Sequence, residues 1–138
     1  MEKAQIEKLI AEAYAAKEKA YIPYSGFAVG AALLGKSGKI YRGCNIENAA
    51  YSPTNCAERT AVFKAVSEGE REFLGIAIAG DGDGYLSPCG VCRQVLREFA
   101  EPENFEVVMA GKDHSYRKMT LAQLLPASFS KADLEKLG

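Results

Sequence analysis

The sequence has almost no net charge: 17 lysines and arginines stand against 18 aspartates and glutamates, for a formal charge of -1. A polynucleotide-binding surface normally shows a basic excess or stripe, so that class is set aside, while a single nucleoside or nucleotide stays open as a ligand. No apolar stretch approaches the length of a membrane span. The opening residues, Met1-Glu2-Lys3-Ala4-Gln5, are charged and run into an amphipathic pattern, unlike a secretory signal peptide, so an intracellular, cytoplasmic setting is expected. Internal repeats, linkers and low-complexity tracts are missing. Histidine occurs once, as His114 in a turn-like segment beside Asp113 and Ser115, where it reads as solvated. Any zinc bound by this chain must therefore rely on sulfur.

What remains is an ordinary globular composition, 48% hydrophobic and 25% charged over 138 residues. That is the size of one domain, spanning 1–138, with room for a core that needs no staples. Four cysteines are present: Cys44, Cys56, Cys89 and Cys92. In an intracellular chain such a set points to metal or catalysis before disulfides. The plainer alternative is that all four are small buried hydrophobes.

Apolar residues at Ile6, Leu9, Ile10, Ala13, Ala16 and Ala20 share one helical face, which predicts a surface helix from about Glu2 to Ala20. Phe27–Gly35 and Ile40–Cys44 read as a hairpin around Lys36-Ser37-Gly38-Lys39. The small residues of Ala28-Val29-Gly30-Ala31-Ala32 imply close approach of another element. A helix is expected from Cys56 to Glu68, and a buried strand over Phe73–Gly80. Asp81-Gly82-Asp83-Gly84 reads as a turn rather than a calcium loop, because the later ligands are missing. Pro88 precedes a helix from Cys89 to Ala100. Strands follow at Phe105–Ala110 and Tyr116–Thr120, then short helices capped by Thr120 and Ser130. This order implies a sheet covered by helices, mostly parallel after the opening hairpin.

The chemistry gathers in two stretches, Asn55-Cys56-Ala57-Glu58-Arg59 and Ser87-Pro88-Cys89-Gly90-Val91-Cys92-Arg93. Cys89 and Cys92 at a helix start can point at one ion, and Cys56 stands at a second helix start. Three thiolates on Zn2+ leave one position for water but carry a formal charge of -1, which needs an offset. Arg59 and Arg93 each follow a motif residue directly and can donate to the sulfurs. Glu58 can face the open position and carry protons to and from water there. Alone, it would read as an acid favouring a helix start. Two rivals use the same cysteines: a closed four-cysteine site that includes Cys44, and a redox Cys-x-x-Cys pair.

The pattern of Cys, Glu two residues later, then Pro-Cys-x-x-Cys, preceded by Asn45-Ile46-Glu47-Asn48-Ala49-Ala50-Tyr51, closely resembles the small homotetrameric cytidine deaminases of the three-cysteine zinc type. The likeness runs from the first helix to Leu124-Leu125-Pro126 and Phe129, nearly the whole chain. The resemblance implies a three-layer α/β/α sandwich with a five-stranded mixed sheet. It implies hydrolytic deamination of cytidine and deoxycytidine to uridine and deoxyuridine, in pyrimidine salvage. It carries zinc binding onto Cys56, Cys89 and Cys92, and proton transfer to ring N3 and departing ammonia onto Glu58. Asn45 and Glu47 match the pair that bonds the ribose 3′-hydroxyl, and Phe27 matches an aromatic beside the base. The backbone at Ala57 and Ser87 would meet the pyrimidine edge. Ala49, Tyr51 and Phe129 match residues that reach a neighbouring subunit's site, which implies a homotetramer with shared active sites. Pro53-Thr54 departs from many relatives, away from any matched catalytic position. Two other readings stand beside this one: a deaminase for a modified cytosine nucleoside, of the blasticidin type, and a non-enzymatic zinc-structured module.

Overall fold

The structure is a computed structural model that describes residues 1–137. Its elements are α1 (Lys3–Lys17), β1 (Val29–Gly35), β2 (Ile40–Cys44), α2 (Ala57–Ser67), β3 (Phe73–Gly80), α3 (Gly90–Phe99), β4 (Glu106–Ala110), β5 (Tyr116–Thr120), α4 (Leu121–Leu124) and α5 (Lys131–Leu137), with one 3-10 turn at Lys112–His114. The strands form a single mixed sheet in the order β2-β1-β3-β4-β5.

Alternation along the strands divides the core into two layers, because successive side chains point to opposite faces. Ala31, Leu33, Ile76, Ile78, Val107 and Met109 pack with Ala57, Ala61, Val62 and Ala65 of α2 and Leu96 of α3. The other face presents Ala32, Leu34, Ala77, Ala79, Val108 and Ala110 to Ile6, Leu9, Ile10 and Ala13 of α1. Helices on both faces make this a three-layer α/β/α sandwich. The α1 side of the sheet is lined with small residues, and the helix comes close. A Cβ added at Gly30 would stand 2.0 Å from the Ala13 carbonyl oxygen. The small residues around Gly30 are thus the landing strip for α1.

Among the described residues only one strand pair is parallel, β3 with β4; β1 pairs antiparallel with both β2 and β3, and β4 with β5. This corrects the expectation of a mostly parallel sheet. Crossover through α2 does carry the chain from β2 to a strand of the same direction, but β3 inserts on the far side of β1, so the two are not neighbours. Between β4 and β5 lie only Gly111–Ser115, far short of the dozen or more residues that a parallel connection needs.

Two boundaries differ from the sequence reading for local reasons. Strand β1 begins at Val29, not Phe27, because Asn45 takes the place of a partner strand there. Its Oδ1 accepts from the Val29 N–H at 2.9 Å and its Nδ2 donates to the Phe27 carbonyl at 2.9 Å. Helices α2 and α3 begin one residue late because Cys56 and Cys89 are their N-caps, with extended backbone. Thr120 caps α4 with a reciprocal bond to Gln123, and Asp133 accepts from the Ser130 N–H at the start of α5.

Candidate metal centre

The Sγ atoms of Cys56, Cys89 and Cys92 all lie within 4.8 Å of one another, and among the described residues they are the group of three or more ligand-bearing side chains so placed. Cys89 stands 3.9 Å from Cys56 and 3.3 Å from Cys92, sulfur to sulfur. Thiolates on a tetrahedral zinc, at about 2.3 Å from the metal, would lie about 3.8 Å apart. The donor set and spacing therefore fit zinc. Two helix starts produce this convergence: Cys56 caps α2 and Cys89 caps α3, where it accepts from the Cys92 N–H at 3.4 Å. Helix N-termini favour negative charge, so both ends stabilise thiolate. Cys44 ends β2 opposite Gly30 and stays outside the cluster, which removes the closed four-cysteine reading.

Electrostatics within the cluster call for a cation. Bonding with the Cys92 thiol, then with the Arg59 guanidinium, pulls Cys56 well below the ordinary thiol value against the effect of burial. Cys92 moves the other way: its bond to Cys56, its burial and the nearby Glu58 charge hold it protonated. One thiolate forms readily and suppresses the next. A divalent metal relieves that conflict, because its charge lets every ligand sulfur ionise.

Arg59 answers part of the charge problem. Its Nη2 donates to the Cys56 sulfur at 3.3 Å, and the thiolate raises its own pKa further. Arg93 was expected to do the same, and the structure corrects this. Its guanidinium bonds to the Pro88 carbonyl, the Leu124 carbonyl and the Ser87 hydroxyl instead, because it folds back along the entry to α3.

Glu58, in the first turn of α2, is only 5% exposed. Burial is the chief cause that raises its carboxyl to about 7; the Cys56 thiolate adds to this, while Cys92 and Arg59 oppose it. A buried carboxyl beside three sulfurs is costly for folding alone. Ala57, between the ligand and this acid, is fully buried.

The remaining candidates sit along the loops. Glu47 gathers the segment before β1: its Oε1 accepts from the Tyr24 and Ser25 N–H groups at 3.0 and 3.1 Å, and its Oε2 from the Ser25 hydroxyl. These bonds, the hydroxyl first, hold its carboxyl below the usual range. Ser25 also accepts from the Phe27 N–H at 3.0 Å, so it links Glu47 to Phe27. Sequence reasoning missed Ser25; only its place in a helix-breaking segment marked it. Phe27 is 40% exposed and its ring packs over Gly80. Glu47, Tyr24, Ser25, Tyr51 and Thr54 line a hollow of about 270 Å3. Tyr51, 73% exposed with φ of 62°, stands edge-on to Tyr24 at 6.3 Å. Ala49 and Ser87 are exposed, as is Phe129, whose carbonyl accepts from Gln94. His114 is exposed and stacks on Tyr14 at 4.9 Å, away from the sulfurs.

Three converging thiols beside a buried acid, on a three-layer α/β/α sheet, define a zinc-binding class of protein. Residues 3–109 match the cytidine and deoxycytidylate deaminase zinc-binding region, and the chain belongs to that family. It is 56% identical to a cytidine deaminase of Sporosarcina psychrophila over 129 residues, 94% of each chain. It is 48% identical to one from Halalkalibacterium halodurans, over 93% of this chain and 96% of that one. The crystal structure of a cytidine deaminase from Burkholderia pseudomallei superposes with a TM-score of 0.85 at 46% identity, covering 94% of this chain and all of that one.

Proposed function

We propose that this chain hydrolyses the amino group from cytidine and deoxycytidine, giving uridine or deoxyuridine and ammonia. The observation that carries this reading is the meeting of three cysteine sulfurs, two of them helix caps, with the buried carboxyl of Glu58. Cys56, Cys89 and Cys92 would hold zinc, which supplies Lewis acidity that lowers the pKa of water to about 7 from 15.7. Glu58 takes one proton from the attacking water and passes it to ring N3, then takes the proton left on the new C4 hydroxyl and delivers it to the leaving ammonia. The C4–O bond forms and the C4–N bond breaks; water is consumed and no redox partner is needed. Burial raises the Glu58 carboxyl above its ordinary value, which favours its holding a proton between the two transfers.

Substrate recognition follows from the loops. A carboxylate offers about four acceptor sites. Glu47 uses three of them on Tyr24 and Ser25, which leaves room for one sugar hydroxyl. Asn45 keeps one amide hydrogen for the same hydroxyl after bonding Phe27 and Val29. Phe27 lies beside the base, and the backbone at Ala57 and Ser87 reads the pyrimidine edge. The exposure of Tyr51 and Phe129 supports a role for them, with Ala49, at a neighbouring subunit's site in a homotetramer. The ribose-reading pair favours the plain nucleoside over a modified one. The match to cytidine deaminases over nearly the whole chain supports a cytoplasmic enzyme of pyrimidine salvage built on one domain.

The test is direct. The protein is incubated with cytidine, uridine and ammonia are followed, and zinc is measured on the same sample. Stoichiometric zinc with equal release of both products is expected. Zinc without turnover would favour a structural metal module.

A further inference from the structure

Arg93 makes three side-chain hydrogen bonds to uncharged acceptors. Nε donates to the Pro88 carbonyl at 2.8 Å, Nη1 to the Leu124 carbonyl at 2.6 Å and Nη2 to the Ser87 hydroxyl at 2.9 Å. Two of these acceptors immediately precede Cys89. The third is a carbonyl at the end of α4, a group that a four-residue helix leaves without a partner of its own. Two more side chains of α3 reach the same downstream stretch. Gln94 donates to the Phe129 carbonyl at 2.9 Å, and Arg97 to the Ser128 hydroxyl at 3.0 Å. One face of α3 therefore fastens residues 124–129 along its length.

We propose that Arg93 is a positioning residue that fixes the Ser87–Pro88 segment against the carbonyl end of α4. The planar guanidinium suits this task, because its donors are held in a rigid fork that meets three fixed acceptors at once. The proposal rests on the functional reading above, in which the Ser87 backbone meets the pyrimidine edge. Arg93 acts there through Ser87 and touches neither metal nor substrate. A displaced backbone at that edge weakens substrate binding more than it alters the metal. The same residue links the approach to Cys89 with the stretch that carries Phe129, so loosening one loosens the other.

The experiment compares the zinc-loaded full chain with R93Q, R93K, S87A and the S87A/R93Q double variant. Zinc content, amide hydrogen exchange at residues 124–129, and KM and kcat with cytidine are measured. R93Q is expected to keep its zinc, to exchange faster at 124–129, and to raise KM about tenfold with a smaller fall in kcat. R93K is expected to behave like R93Q, because one ammonium cannot span the three acceptors. S87A should be milder, and adding it to R93Q should cost nothing further, as expected for partners in one bond. Wild-type KM and exchange in R93K would overturn the proposal in favour of a role for charge alone. So would unchanged exchange and KM in R93Q, or zinc loss with exchange raised throughout α3. R93K keeps the charge beside the same residues and carries the test should R93Q fail to fold. If the wild-type chain releases no uridine, the substrate reading fails, and exchange at 124–129 in the zinc-retaining variants decides the role of Arg93 alone.

Discussion

Arg59 reaches across one turn of α2 and donates to the sulfur of Cys56 at 3.3 Å, while its own Nε is buried with no partner. A guanidinium accepts such a cost when it offsets charge. Three thiolates on a divalent metal exceed its charge by one, and a donor to sulfur withdraws part of that excess. R59Q should therefore weaken zinc binding by about 10- to 100-fold, the usual effect of removing a partner of a metal ligand. Competition with a chromogenic chelator measures it. Unchanged affinity would mean that the two helix N-termini offset the charge unaided.

Glu58 gives the sharpest separation of chemistry from folding. Burial has pushed its carboxyl up to about 7, so in the absence of a task the residue is a burden. E58Q keeps the shape and removes the titration. Zinc content should hold, thermal stability should stay level or rise, and kcat should fall by about 10²- to 10⁴-fold. Residual turnover near the wild-type rate would end its assignment as proton carrier.

Cys44 tests the ligand count. It ends β2, and burial raises its thiol pKa, which suits an inert side chain better than a ligand. C44S should bind as much zinc as the wild type in the same chelator assay. Zinc loss from C44S would restore the four-cysteine reading.

Much of this architecture is legible in the sequence, for reasons that differ by element. Helix α1 shows itself by the spacing of Ile6, Leu9, Ile10 and Ala13, and β3 by its unbroken apolar run, because burial on one face or on two leaves distinct patterns. The cysteines and Glu58 stand out because few other tasks require those types at that spacing. Strand direction was less accessible. Nothing within β2, α2 or β3 says that β1 will lie between the two strands; that is a property of the assembled sheet. The targets of arginine were equally hidden. Arg59 and Arg93 hold the same place after their motifs, yet a long side chain finds whichever acceptors the fold brings near: a sulfur for one, carbonyls for the other. Ser25 was invisible for the same reason, since its partner Glu47 comes from another segment.

Gly43 sets how closely α2 approaches the sheet. A Cβ there would stand 2.4 Å from both the Ala57 carbonyl oxygen and the Ala61 nitrogen, backbone atoms that cannot swing aside. G43A must push the first turn of α2 outward and take Cys56 and Glu58 with it. A loss of about 1–3 kcal/mol in unfolding free energy is expected, together with reduced zinc per folded chain. G30A provides the control: it presses on Ala13 and Lys17 of α1, on the opposite face. It should destabilise comparably and leave zinc unchanged. Equal zinc in the two variants would show that α2 can shift without disturbing the metal centre.

Asp81, just beyond β3, joins three parts of the fold. Its carboxylate accepts from Lys17 at the end of α1 at 2.8 Å and from the Ala28 N–H at the entry to β1 at 2.8 Å. The Lys17 bond first, then the Ala28 bond, holds its carboxyl below the ordinary aspartate value. A carboxyl depressed in the folded state stabilises the protein fully above its unfolded pKa of about 3.9, and that stability disappears as pH falls through the lower folded value. D81N keeps an oxygen for Ala28 but loses the charge that attracts Lys17. Both partners are partly exposed, so solvent screens the pair and the effect at neutral pH should be small, about 1 kcal/mol or less. Urea unfolding of the two proteins should differ by that amount from pH 7 down to about 5. The difference should then close as the pH falls below about 4. A gap that does not narrow at all as the pH falls below about 4 would show that Asp81 acts through its shape and its bond to Ala28 rather than through its charge.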